Sequence, residues 1–255
     1  MFRFFNSLAV FLFLASAPIY AEPSTTPSGT SPQALVEADR LFSAGHYAEA
    51  CGVFLDYAEQ GDATAREKTG RCYEEGLGFK ENIHQAMYWY TESARMGNRN
   101  AENKLGEMLL DGRGTPRNPR GAIILFQRAA KQGHADAQYN LGSLYEQGGV
   151  TPKNPAGAFR LYSQAAESGH TLAQYALASA YDRGAGIETN HQEAIKWYEN
   201  AADAGHAEAQ YQLANKYFRG EGVAQDIKMA RSLLKRSADQ GNSGAKTLLK
   251  KIEAW

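Results

Sequence analysis

The residues best suited to chemistry recur at a fixed interval. His134, His170 and His206 stand 36 residues apart, each directly after a glycine: Gly133, Gly169 and Gly205. Imidazoles bind metals and carry protons near neutral pH. A metal needs its ligands converging at about 2 Å from one point. Equivalent positions on successive helical repeats are separated by at least a helix-packing distance, about 10 Å. The three histidines are therefore read as polar residues of turns between repeats. His46, His84 and His191 show no ligand spacing with one another. Glu74 and Glu75 are a carboxylate pair, but sequence neighbours on a helix do not face each other, so they read as a solvated face. The Gly-x-Gly elements follow no strand and open no phosphate-binding helix, so they read as turns. No nucleophilic serine motif occurs. No catalytic residue, metal or cofactor is expected, and the chain is read as not an enzyme.

The elements that would position these residues are set by the same interval. Ala65, Ala101, Ala137, Ala173, Ala209 and Ala245 are 36 apart, as are Gly76, Gly112, Gly148, Gly184 and Gly220. A third series is Ala50, Ala86, Ala122, Ala158, Ala194 and Ala230, and a fourth is Gly61, Gly97, Gly133, Gly169, Gly205 and Gly241. Phase-locked small residues at this period mark a repeat architecture. Each period predicts two helices. In one, Ala137, Leu141 and Tyr145 share a face at i, i+4 and i+8, and Gly148 ends it. The second carries Ala158, Leu161, Tyr162, Ala165 and Ala166 and closes at Gly169. Asn82, Asn118, Asn154, Asn190 and Asp226 are in register as N-caps of the second helices. Pro119 and Pro155 follow two of them at the first helical position. Alanines and glycines give flat spots against which Leu141, Tyr145 and Tyr162 can pack. No hairpin buries its apolar face alone, so the hairpins must stack.

The ends read differently. Arg3, the apolar run Leu8–Ile19 and Ala21 have the layout of a secretory signal peptide over residues 1–21, with a buried N-terminal helix as the alternative. Residues 22–32 are Pro, Ser, Thr and Gly with almost nothing apolar, a flexible linker. The chain carries a formal net charge of −1, and losing residues 1–21 removes one base and no acid. Near-neutrality argues against a general nucleic-acid binder. The apolar run is short for a membrane span, and no later segment is apolar enough, so no integral membrane segment is expected in the mature chain. The expected location is the periplasm or the medium.

The stretch from Ala135 to Gly169 resembles a Sel1-like repeat, a relative of the tetratricopeptide repeat with a longer inter-helix loop. The matching residues are Ala137, Leu141, Gly142, Tyr145, Gly148, Ala158, Tyr162, Ala165, Ala166 and Gly169. The repeats beginning at Thr171 and Ala207 match through Gly184, Gly186, Trp197 and Tyr198, and through Gly220, Gly222 and Val223. The resemblance spans about Gly61 to Asn242 and implies an all-α, right-handed α-solenoid of stacked helix-turn-helix repeats. The divisions expected are a tetratricopeptide-like hairpin at 33–61, repeats at 62–97, 98–133, 134–169, 170–205 and 206–241, and a capping helix at 242–255. One loop departs: Val150 stands where other repeats have Gly78, Gly114, Gly186 and Gly222, so it is expected to turn differently.

Two cysteines lie in the folded part. Cys51 aligns with Met87, Ile123, Phe159 and Ile195, and Cys72 with Met108, Leu144 and Ala180. Both are apolar seam positions on helices that stack. In an oxidising compartment a Cys51–Cys72 disulfide is expected, with two buried free thiols as the alternative. Other family members carry a disulfide in most repeats; this chain does not.

First helices line the concave face of a solenoid, where variable positions meet a partner. One row is Glu67, Asn103, Tyr139, Tyr175 and Tyr211, a second Arg71, Glu107, Ser143, Ser179 and Asn215. Mapping onto the tetratricopeptide pattern puts both on the concave side. Asn103, Tyr139, Ser143, Tyr175, Ser179, Tyr211 and Asn215 are the candidate partner-binding residues, the tyrosines forming a ladder of a residue type favoured at binding hot spots. The alternative is that the tyrosines only pack. Residues 33–81 carry ten acids and five bases, and residues 226–255 seven bases and three acids; the basic end reads as a solvated cap or as a surface for an acidic partner. The expected function is a non-enzymatic interaction scaffold or inhibitor that binds another protein: in envelope assembly, host interaction, or immunity to a periplasm-delivered toxin. The alternative is an enzyme acting on cell-wall-related small molecules such as β-lactams.

Overall fold

The computed structural model describes residues 32–254. The expected signal peptide, and residues 22–31 of the expected linker, lie outside them. Among the described residues there are thirteen α-helices and no strand. Helices α1 (Pro32–Ser43) and α2 (Tyr47–Glu59) form the first hairpin. Five pairs follow: α3 (Ala63–Glu75) with α4 (Ile83–Arg95), α5 (Arg99–Asp111) with α6 (Pro119–Lys131), α7 (Ala135–Gln147) with α8 (Pro155–Glu167), α9 (Thr171–Arg183) with α10 (His191–Asp203), and α11 (Ala207–Arg219) with α12 (Ile227–Asp239). A single helix, α13 (Ser243–Glu253), ends the array. Each helix packs on its neighbours in sequence, giving the stacked α-solenoid. None of the described helices is long and apolar enough to cross a membrane.

Both ends of each helix are written in side chains. Asn82, Asn118, Asn154, Asn190 and Asp226 cap the second helices through their side-chain oxygens. The first helices are capped by Asp62, Asn98, His134, His170, His206 and Asn242. The donors to those caps are the amides of Ala65, Ala101, Ala137, Ala173, Ala209 and Ala245, the first alanine series, every one of them 0% exposed. The series thus marks the third residue of each first helix, where cap and core meet.

The core of each repeat is one large side chain, a ring in the first four, laid on one small residue. A Cβ on Gly70 would lie 2.8 Å from Tyr90, on Gly106 2.7 Å from Phe126, and on Gly142 2.8 Å from Tyr162. In the next two repeats Ala178 and Ala214 take the place of that glycine, opposite Tyr198 and Leu234. The loops use glycine for a second reason. A Cβ on Gly186 would be 2.3 Å from the Pro155 carbonyl oxygen, where the loop presses on the start of the preceding repeat's second helix. The loop bearing Val150 does turn differently. Gly148 has ψ −158° where Gly112 and Gly184 have 30° and 34°, and Gly149 takes a φ of +94°.

Repeats are latched by side chains that satisfy the open carbonyls at the end of the preceding second helix. Arg66 donates to the Ala58 carbonyl at 3.0 Å, Gln138 to Ala130 at 3.3 Å, Gln174 to Ala166 at 3.4 Å and Gln210 to Ala202 at 3.0 Å. Glu102 holds the equivalent place but cannot donate. There Arg128 of α6 reaches the Ala94 carbonyl at 3.0 Å and pairs with Glu102 at 2.6 Å.

Cys51 on α2 and Cys72 on α3 are joined by a disulfide, with Cα atoms 6.2 Å apart and both residues 0% exposed. It ties the first hairpin to the array.

Candidate functional site: the row of first helices

First helices of successive repeats lie side by side, as their cross-contacts show. Asn140 of α7 donates to Asn103 of α5 at 3.3 Å, Arg183 of α9 to Glu146 of α7 at 3.1 Å, and Lys216 of α11 to Asp182 of α9 at 2.6 Å. These helices carry both rows of candidate binding residues.

The tyrosines are half-buried and locked in place. Tyr139 stacks on His170 of the next repeat at 4.9 Å between ring centroids and 28° between planes. Tyr175 repeats the arrangement on His206, at 4.7 Å and 29°. Each also leans on the core ring of its own repeat, Tyr162 at 5.9 Å and Tyr198 at 6.0 Å. Burial raises both phenol pKa values above the ordinary range. Tyr139 and Tyr175 are therefore structural on one ring face while staying partly open to solvent. Tyr211 finds no histidine, because Asn242 occupies that cap position.

Asn103 departs from the expectation. It is only 2% exposed, donates to Glu107 at 2.8 Å and accepts from Asn140. Its amide is engaged inside the array, which leaves it little surface to offer a partner. Ser143 accepts from Gln147 at 2.8 Å and remains half-buried, as does Ser179. Asn215 and Tyr211 line an open groove against α13.

Behind the rows run chains of charge. Tyr90 donates to Glu74 at 2.6 Å, and Arg113 of the next repeat completes the chain. Tyr162 donates to Glu146 at 2.9 Å, which Arg183 then meets. Burial, and then the Glu74 carboxylate, keep Tyr90 far above the usual phenol range. Burial opposes ionisation of Glu74, but the hydrogen bonds from Tyr90 and Arg113 outweigh it and hold its pKa low. The acid is present only where the ring has a hydroxyl: in the second repeat Phe126 is buried and Leu110 packs against its cluster. These chains order the scaffold; a phenol held protonated and a paired carboxylate are poor proton carriers.

The histidines are caps rather than ligands. Nδ1 of His134, His170 and His206 accepts from the alanine three residues on, at 3.3, 3.0 and 3.1 Å. Among the described residues no group of three or more His, Cys, Asp or Glu is arranged to hold a metal.

The model of the Sel1 repeat matches residues 63–98, 99–134, 135–170, 171–206 and 207–242. The chain belongs to the Sel1 repeat family. Its fold is similar to a Sel1 repeat protein of Oxalobacter formigenes, with 31% identity, a TM-score of 0.79, and 87% of this chain and 88% of that chain covered. A protective antigen of uropathogenic Escherichia coli strains, displaying an SLR fold, is 26% identical with a TM-score of 0.63; 87% of this chain and 56% of that one are covered. An immunity protein of Pseudomonas aeruginosa shares the fold at 21% identity and a TM-score of 0.52, with 82% of each chain covered. No curated protein sequence matches. The Sel1 family is one of interaction scaffolds. Between the repeats of this chain the first-helix rows vary, as in Glu67, Asn103 and Tyr139, while the glycine and alanine series recur.

Proposed function

We propose that this Sel1 array is an exported, non-catalytic protein that binds another protein along its first helices. The observation that carries the reading is the ordering of the aromatic row: Tyr139 and Tyr175 are fixed by stacking on His170 and His206, yet remain partly accessible. Rings already held in one rotamer lose little entropy on binding, which favours affinity. Tyrosine presents a broad apolar face and a polar tip, the combination common in binding hot spots. Residues 1–21 and the Cys51–Cys72 disulfide support an oxidising location outside the cytoplasm. Envelope assembly, host interaction and immunity to a periplasm-delivered toxin differ in the partner and use the same surface.

The test is affinity co-purification from envelope extract, with wild type against two variants. Tyr139→Phe/Tyr175→Phe/Tyr211→Phe keeps the stacking and removes the hydroxyls; the triple Ala variant removes the rings. Recovery of a discrete partner that weakens with Phe and disappears with Ala, at wild-type helicity by circular dichroism, is expected. If the Ala variant unfolds while the Phe variant binds as wild type, the tyrosines serve packing alone.

A further inference from the structure

The last residues of five successive first helices form a graded series. Glu75, Asp111, Gln147, Arg183 and Arg219 close α3, α5, α7, α9 and α11, and all five are exposed. The sign runs from acidic through neutral to basic along the array. At its basic end an open groove separates α11 from α13. Tyr211, Asn215 and Arg219 line one wall and Ser243, Thr247 and Lys251 the other. Each set is spaced i, i+4, i+8, so each is one stripe of its helix. None of the residues lining the groove is acidic.

The groove is open for a local reason. A Cβ on Gly244 would lie 2.8 Å from Cζ of Tyr211, so the missing side chain lets that ring lie against the α13 backbone. One repeat earlier the place of Gly244 is held by Glu208, whose carboxylate accepts from Asn242 at 2.8 Å. The Arg219 side chain is 62% exposed and meets Glu221 at 3.3 Å, a carboxylate it shares with Lys216. Its charge is thus only partly offset.

The polar groups on the walls are matched to a peptide. Asn215 spends an amide N–H on the Tyr211 carbonyl at 3.1 Å, which leaves Oδ1 to accept. Thr247 spends its hydroxyl proton on the Ser243 carbonyl at 2.9 Å, which leaves its oxygen to accept. Two cations beside two spare acceptors suit a ligand that carries carboxylates and N–H donors together. An inorganic anion has no N–H to offer.

We propose that the groove between α11 and α13 docks an acidic stretch of the partner protein, its carboxylates on Arg219 and Lys251 and its backbone N–H groups on Asn215 and Thr247. This rests on the reading of the array as a protein binder. The probe is a fluorescein-labelled peptide of alternating Glu and Gly, titrated by anisotropy against its Gln counterpart. The Glu peptide is expected to bind at least about tenfold tighter. Arg219→Gln/Lys251→Gln abolishes that preference, whereas Lys228→Gln/Lys235→Gln, which removes the same charge from α12, leaves it intact. Equal loss in both variants, or no preference in the wild type, overturns the proposal. So does full displacement by millimolar inorganic phosphate, which marks an anion site, or a dimer broken by Arg219→Gln/Lys251→Gln, which makes a second copy the occupant. A partner that co-purifies undiminished with Arg219→Gln/Lys251→Gln refutes the groove and leaves the binding reading standing. Peptide binding without any envelope partner does the reverse.

Discussion

At the scale of single residues, the fold is decided by pairs that change together. Tyr90 has Glu74, while Phe126 has Leu110. Glu74→Leu leaves the buried Tyr90 hydroxyl without an acceptor, at a cost of about 1–3 kcal/mol, whereas the Glu74 carboxylate left by Tyr90→Phe still has Arg113 to pair with. Glu74→Leu is therefore expected to destabilise more than Tyr90→Phe. Adding Tyr90→Phe to Glu74→Leu should recover stability by recreating the pairing of the second repeat. Urea unfolding of the three variants closes a double-mutant cycle, and simple additivity would show that the two side chains are independent. The identity of the ring positions was legible in the sequence, since period and helical spacing mark them. The acids were not: Glu74 and Glu75 look alike there, and only the packed structure turns one toward Tyr90 and the other toward Arg71. Asn103 escaped in the same way, because its burial depends on Asn140 in the following repeat.

At the scale of the helix, the histidines couple the array to pH. His134 and His206 cap α7 and α11 through unprotonated Nδ1. Burial depresses the pKa of both; Asp136 at the first and Glu208 at the second pull the other way without prevailing. The unfolded chain protonates these rings near pH 6.5. Below that it takes up protons that the folded array refuses, so stability is full above about pH 6.5 and falls with acid toward the folded-state pKa. A lost cap costs about 1 kcal/mol. Melting temperature should drop between about pH 7.5 and about pH 5, and His134→Asn/His206→Asn should flatten the drop, because asparagine already caps α5 and α13 without titrating. Parallel curves for the two proteins would exclude the caps as the source. Helix order and the second-helix caps could be read from the sequence. The first-helix caps could not, since histidine is a rare cap. The signal was present in the register of His134, His170 and His206 with Asp62, Asn98 and Asn242.

At the scale of the whole molecule, stability is a sum of repeats and junctions, and one junction is covalent. The disulfide closes a loop with a sequence separation of 21, for which chain entropy gives about 3 kcal/mol. Reduction is expected to release α1 and α2 first. Hydrogen exchange should then show protection lost from residues 32–59 and kept in α5 to α12. Uniform loss along the chain would mean that the array unfolds as one unit. The cysteines could be placed in the sequence because the repeat supplies their structural equivalents. The direction of the charge gradient could not be weighed until the last residue of every first helix was fixed.

The latches between repeats bear on how such a chain is made. Arg66, Gln138, Gln174 and Gln210 each complete the repeat before their own. A chain emerging N-terminus first therefore always holds one unfinished unit at its growing tip, sealed only when its successor arrives. Cys51 and Cys72 belong to the first junction in chain order, so in an oxidising compartment the covalent lock can be set before the later repeats have stacked.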